Sequence, residues 1–230
     1  MDIHVISAFP QILAGALGES MLKRAQDRQI ARIFLHDLRA FGIGKHKQID
    51  DYSYGGGAGM ILKPEPIFAC VESVRKQHQV DCALTYLTPA GKVFKQKDAV
   101  ELSFRKQLFF LCGHYKGVDQ RVLDQLVGEE LSIGDYVLTG GEIAALAVVD
   151  AVVRLLPGVL NDIDSADTDS FQTGLLDHPH YTRPEVFRGV GVPEVLLSGD
   201  HQAVQRWRDE KSIEITRQKR TDLYEKYIEL

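Results

Sequence analysis

The chain has 230 residues, 44% of them hydrophobic and 26% charged, and a net charge of −5. That length supports one large domain or two modest ones, and the composition is ordinary for a soluble globular protein. The negative balance gives no general case for nucleic-acid binding, and the three cysteines (Cys70, Cys82, Cys112) form no C-x-x-C pair. The longest apolar stretch, Ile143 to Leu156, is broken by Asp150 and Arg154 and is too short to cross a bilayer. Buried free thiols in a reducing compartment, a cytoplasmic location and no membrane partner are the expectation.

Met1 to Ser7 has neither a basic n-region nor a long apolar h-region, so it reads as a first strand rather than a signal peptide. Strand-like runs recur at 2–8, 31–36, 83–88, 107–112 and 130–133, with helix-like stretches at 10–29, 64–79, 95–104 and 118–127. Strand alternating with helix predicts a mostly parallel sheet covered on both faces. Residues 37–63 interrupt that rhythm as a long polar loop containing Gly55-Gly56-Gly57-Ala58-Gly59. Ser132 to Glu142 holds three glycines around a short apolar core, between a strand ending at Ile133 and a helix starting near Glu142. Bare backbone there could hold a small polar molecule, and a tight strand-to-helix connection is the equal alternative. The pattern stops at Leu156-Pro157-Gly158, residues 159–169 are polar and acidic, and helices are expected at 200–217 and 221–229 with no convincing sheet. Two domains are therefore expected, 1–160 and a mainly helical 170–230, joined by a flexible linker over 161–169.

In open parallel sheets, ligands bind beyond the carboxyl ends of the strands. Three such ends carry glycine-containing loops: Thr88-Pro89-Ala90-Gly91, Gly113-His114-Tyr115-Lys116-Gly117, and Ser132 to Glu142. No G-x-x-x-x-G-K-[ST], G-x-G-x-x-G or G-x-S-x-G motif is present, which disfavours a nucleoside triphosphate, a pyrophosphate cofactor and a serine hydrolase. No cluster has zinc spacing, His178-Pro179-His180 included. Asp150 and Arg154 share one helix face, either as an intrahelical pair or as a polar stripe meeting a substrate. Asp169 reads first as the cap of a helix beginning near Ser170. Residues 206–220 carry Arg206, Arg208, Lys211, Arg217, Lys219 and Arg220, which suit either phosphates or a solvated helix face.

Several segments together closely resemble the bacterial tRNA (guanine-N1)-methyltransferase family of the SPOUT superfamily. They are Ser7–Pro10, Asp50–Met60, Leu87–Gly91, Ser132–Glu142, Asp150–Arg154 with Leu156–Leu160, Asp169–Phe171 and Gly174–Pro184, in family order. The resemblance implies an N-terminal α/β domain with a parallel sheet tied in a deep trefoil knot, a small helical C-terminal domain, and a homodimer with its active site at the subunit interface. It implies S-adenosylmethionine as methyl donor, held by Tyr86, Leu87, Thr88, Pro89, Gly113, Tyr115, Gly117, Ser132, Ile133, Gly134, Asp135, Tyr136, Val137, Leu138, Gly140 and Gly141. The implied reaction methylates N1 of the guanosine at position 37 of tRNA, just 3′ of the anticodon. Asp169 matches the family's base, and Arg154 its positive partner. Asp50, Gly59, Asp177, His180 and Arg183 match positions that meet the anticodon stem-loop around a flipped-out base.

One departure stands out. Relatives commonly read Gly-Arg-Tyr-Glu-Gly where this chain reads Gly113-His114-Tyr115-Lys116-Gly117. Mg²⁺ thus stays open as a cofactor, because Lys116 stands where a carboxylate would support it. Another SPOUT methyltransferase with a different RNA target, and a non-catalytic knotted RNA-binding protein, are the rival readings. Residues 169–184 argue against the first, and the joint presence of Asp169 and Arg154 against the second.

Overall fold

A computed structural model describes residues 1–160 and 169–229. The linker expected over 161–169 therefore lies outside the described residues, except for Asp169. The chain divides into two compact units, Met1–Asn161 and Asp162–Leu230.

The first unit is built on β1 (Asp2–Ser7), β2 (Arg32–Asp37), β5 (Leu84–Val93), β6 (Gln107–Cys112) and β7 (Val127–Ser132). These form one sheet in the order β2-β1-β6-β5-β7, every neighbouring pair parallel. Strand alternation sorts the side chains into two cores. On β6, Leu108, Phe110 and Cys112 face one core, while Phe109 and Leu111 face the other. The first core is closed by α1 (Gln11–Leu17), α2 (Ser20–Asp27), α4 (Gln96–Ser103) and α6 (Glu142–Val153), and the second by α3 (Pro64–His78) and α5 (Gln120–Leu126). Helix α6 buries Ala145, Val148, Val149, Val152 and Val153 almost completely. Its near-continuous apolar sequence is what a helix needs when most of its circumference is covered.

Local chemistry explains the departures from the expected boundaries. The stretch 10–29 breaks into α1 and α2 at Gly18-Glu19. β5 runs on through Pro89 to Val93, because its register against β7 shifts between Leu87 and Lys92. There a Cβ on Gly91 would lie 2.5 Å from the Leu131 nitrogen, a spacing only glycine permits. The loop 37–63 holds a short 3₁₀ turn, Leu38–Phe41, and a hairpin of β3 (Asp50–Tyr52) and β4 (Met60–Leu62).

His4, fully buried on β1, and His36, half-buried on β2, sit in surroundings that penalise charge. Burial, and then the neighbouring His78, push the His4 imidazole down to about 4; burial and then His4 do the same to His36.

In the second unit, Asp200 caps the helix His201–Lys219 by accepting from the N–H groups of Gln202 and Ala203, both at 3.0 Å. The helix Thr221–Ile228 follows. A hairpin absent from the sequence expectation pairs Val186–Phe187 with Val190–Gly191. No helix among the described residues is long and apolar enough to cross a membrane.

Candidate functional site

The carboxyl ends of β6 and β7 and the middle of β5 converge on a cavity of about 680 Å³. Three main-chain segments wall it. The first is the middle of β5, Tyr86 to Pro89; the second is the loop after β6, through Gly113, Tyr115 and Gly117; the third is the loop after β7, from Ser132 to Gly141. The glycines are placed by sterics. A Cβ on Gly141 would meet Cys112 Cα at 2.8 Å and the Gly113 nitrogen at 3.0 Å, and the Gly141 N–H donates to the Gly113 carbonyl at 2.8 Å. A Cβ on Gly140 would meet the Glu142 carboxylate at 2.3 Å, and His114 pairs with Gly140 across a single bridge. The third loop is therefore pressed against the second, main chain on main chain.

Buried polar side chains lock this arrangement. The Ser7 hydroxyl donates to Glu142 Oε1 at 2.6 Å, and both residues are buried. Ser132 Oγ accepts from the Gly134 N–H at 3.2 Å. Burial pushes the Tyr86 phenol up to about 12, with the Glu130 carboxylate acting in the same direction. Burial drives the Cys112 thiol well above its ordinary range, so it is held as an unreactive neutral group.

A second cluster flanks the cavity. Arg39 lies 4.8 Å from the centre of the Phe9 ring, Phe9 packs on His114 at 4.5 Å, and His114 meets Tyr115 at 4.7 Å. Burial first, and then a hydrogen bond to the Asp50 carboxylate, push the Tyr115 phenol upward.

Every residue expected at the donor site lines this cavity except Asp135. Asp135 is exposed at the apex of a turn closed by the Tyr136 N–H on the Gly134 carbonyl, and so lies off the wall. Tyr52, Met60, Leu131 and Ala144 line it without having been expected, and His114, Lys116 and Thr139, which lie in the expected loops without having been assigned to the donor, line it too. Tyr52 and Met60 face each other across the β3–β4 hairpin, and strand pairing was the signal that could have found them. Gly59, expected at the RNA site, is on the cavity wall, where a Cβ would lie 2.8 Å from Lys116 Cγ. Lys116 is the only lysine, arginine, aspartate or glutamate among the lining residues. Among the described residues the wall therefore offers no carboxylate, the oxygen ligand that Mg²⁺ prefers, and these residues do not fit a magnesium ion.

Arg154 is the C-terminal cap residue of α6 and is half-buried. Within the second unit, Asp169 opens a turn in which its carbonyl accepts from Gln172, with no helix at Ser170, so the helix-cap reading is withdrawn. Ser170 Oγ accepts from the Asp177 N–H at 2.9 Å, and His180 Nε2 lies 2.7 Å from Asp177 Oδ2. This brings the 169–170 turn, Asp177 and His180 together, while Arg183 is exposed. Of the basic residues on the long helix, Arg206, Arg208, Arg217 and Lys219 are exposed, and Lys211 pairs with Glu214 at 2.6 Å.

A parallel α/β unit with a cleft beside the carboxyl ends of its strands is the architecture in which small-molecule ligands bind. The profile of one family, described as tRNA (Guanine-1)-methyltransferase TrmD, matches residues 1–226, and the chain belongs to that family. It is similar to tRNA (guanine-N(1)-)-methyltransferases along nearly its whole length. That of Alkaliphilus metalliredigens is 48% identical over 225 residues, covering 97% of this chain and 91% of the relative. Those of Listeria innocua and Anoxybacillus flavithermus are 50% and 51% identical, each covering 99% of this chain and 93% of the relative.

Proposed function

We propose that this protein transfers a methyl group from S-adenosylmethionine to N1 of the guanosine at position 37 of tRNA, in the cytoplasm. The observation that carries the reading is the three-loop main-chain cavity in a chain belonging to this family. The cavity's size falls within the range of small-molecule sites, roughly 300–1,000 Å³. Its close approaches at Gly140 and Gly141 suit a flat adenosine, and its one cation, Lys116, suits the donor's carboxylate. The interleaved strand order, with β6 inserted between β1 and β5, is the arrangement from which a trefoil knot would be tied. A homodimer with its active site at the subunit interface belongs to the same reading; the groove of about 460 Å³ between α1, α2 and α6, which mixes Ala16, Met21, Leu22, Ile143, Leu146 and Ala147 with Glu19, Ser20 and Asp150, is a face that a second copy would cover.

The bound donor supplies an electrophilic methyl group. Neutral guanine carries a proton on N1, so the lone pair there is unavailable until the proton leaves. Asp169 accepts it as general base. The Arg154 guanidinium offsets the negative charge that then develops on O6. Asp50, Asp177, His180 and Arg183 orient the extruded base, and the exposed arginines of the long helix hold phosphates.

Transcripts of one tRNA carrying guanosine or adenosine at position 37, incubated with methyl-labelled donor, test the assignment. N1-methylguanosine is expected from the first transcript and no label from the second. Equal labelling of both, or label at another position, would replace this reading with a different RNA target.

A further inference from the structure

Three histidines of the first unit meet outside the cavity, and none of them lines it. His4 comes from the middle of β1, His36 from β2 at the sheet edge, and His78 from the last residue of α3. One ring nitrogen of each lies within 4.8 Å of the other two. His4 is fully buried, and its Nδ1 is 3.1 Å from His36 Nε2. Its Nε2 is equally buried and has no hydrogen-bond partner. A core position that needed only packing would be filled by an aliphatic or phenyl side chain, with no orphaned nitrogen.

We infer that His4, His36 and His78 form a binding site for a divalent transition-metal ion of the zinc class. Imidazole nitrogen favours Zn²⁺, Cu²⁺ or Ni²⁺ over Mg²⁺. Two imidazoles on one tetrahedral zinc, with bonds of 2.0–2.1 Å, place their nitrogens about 3.3 Å apart. His4 Nδ1 and His36 Nε2, 3.1 Å apart, share a hydrogen bond in the structure, which an ion would replace with two metal–nitrogen bonds. His36 and His78 are only half-buried, so rotation of their rings brings in the third nitrogen from the solvent side. Phe34 and Phe109 pack around the cluster, with ring centres 4.8 Å and 6.1 Å from His4, and supply the apolar shell that strengthens metal–nitrogen bonds. Asp2, the carboxylate nearest in charge effect, is engaged by Arg32 at 2.7 Å, which leaves the fourth position to water. An ion here would staple the edge strand, the adjacent strand and α3, and would favour the folded chain because the unfolded chain has no such site.

The test is titration of the metal-stripped full-length protein with Co²⁺, followed by visible absorption. One equivalent should bind, be displaced by Zn²⁺ and be indifferent to excess Mg²⁺. Substituting His78→Gln or His36→Gln should weaken binding by about tenfold or more, since each removes one of three ligands. A second group, Asp177, His178 and His180, also has ligand atoms within 4.8 Å of one another, so His180→Gln is the control and should keep the full equivalent. A readout free of variants is available if these fail to fold: of the chain's eight histidines, Co²⁺ should shift the imidazole resonances of three. Absence of binding by the native protein, binding that survives His78→Gln, or binding lost in His180→Gln would overturn the inference.

Discussion

The hydroxyl of Ser7 and the carboxylate of Glu142 are joined by a 2.6 Å hydrogen bond that spans 135 positions of sequence. It ties the carboxyl end of the first strand to the first turn of α6, where the helix dipole favours a negative charge. Ser7 Oγ also accepts from the Phe9 N–H at 2.8 Å. Replacing Ser7 by alanine leaves a buried carboxylate short of its partner. The expected cost is about 1.5–3 kcal/mol of stability, read by urea denaturation, with weaker donor binding because Gly140 rests on that carboxylate.

Gly141 and Gly15 should respond to alanine in opposite ways. At Gly141 the new methyl meets the backbone of Cys112 and Gly113, which cannot withdraw without opening the cavity. Overpacking of about 1–3 kcal/mol should lower donor affinity roughly tenfold or more in calorimetric titration. At Gly15, inside α1, a Cβ meets nothing within 4 Å. There alanine should stabilise by up to about 1 kcal/mol with activity unchanged.

Asp169→Ala should reduce methyl transfer by about 10²–10⁴-fold, the usual contribution of a general base. Donor binding should be nearly unchanged, since the cavity lies in the first unit and Asp169 in the second. Loss of donor affinity in a filter-binding or calorimetric assay would assign Asp169 to support of the fold instead.

Lys116 makes a prediction about metal. With no carboxylate on the wall, transfer by the native protein should be insensitive to EDTA. Lys116→Glu should raise the donor KM by roughly fivefold, about 1 kcal/mol for one exposed charge, and should make the rate respond to added Mg²⁺. Steady-state rates with and without Mg²⁺ distinguish the outcomes.

Acid should act on the start of α4. Burial alone would raise the Asp98 carboxyl, but contact with Lys92 and the Lys95 N–H at 2.8 Å outweigh it and hold it below its ordinary 3.8. A carboxylate depressed in the folded state contributes stability above 3.8, and that contribution is lost as pH falls through the folded value. Thermal midpoints should therefore fall in this range, and Asp98→Asn should flatten that part of the profile.

The ends of β6 and β7 were legible because their apolar runs stop close to Gly113 and Gly134, whereas β5 runs on past the Thr88-Pro89-Ala90-Gly91 turn that was expected to end it. What escaped were residues whose place depends on a partner far along the chain. Ala144, on α6, reaches the wall only because the third loop folds back on the second. The Val186–Phe187 hairpin is too short for alternation to register; its signal was Arg188-Gly189, both with positive φ, as a two-residue turn demands. Asp169 looked like a cap because its side chain suits one, yet Phe171, at φ +75°, turns the chain away from helical geometry.

The sheet order β2-β1-β6-β5-β7 also constrains when the protein can first act. A chain leaving the ribosome N-terminus first presents β1 and β2 early, but β1 waits for β6, and the outer wall waits for β7 and the residues up to Ala144. No shorter piece contains a reduced version of the cleft. The cleft is thus completed late in the life of each nascent chain, once the strands up to β7 and the start of α6 have been made.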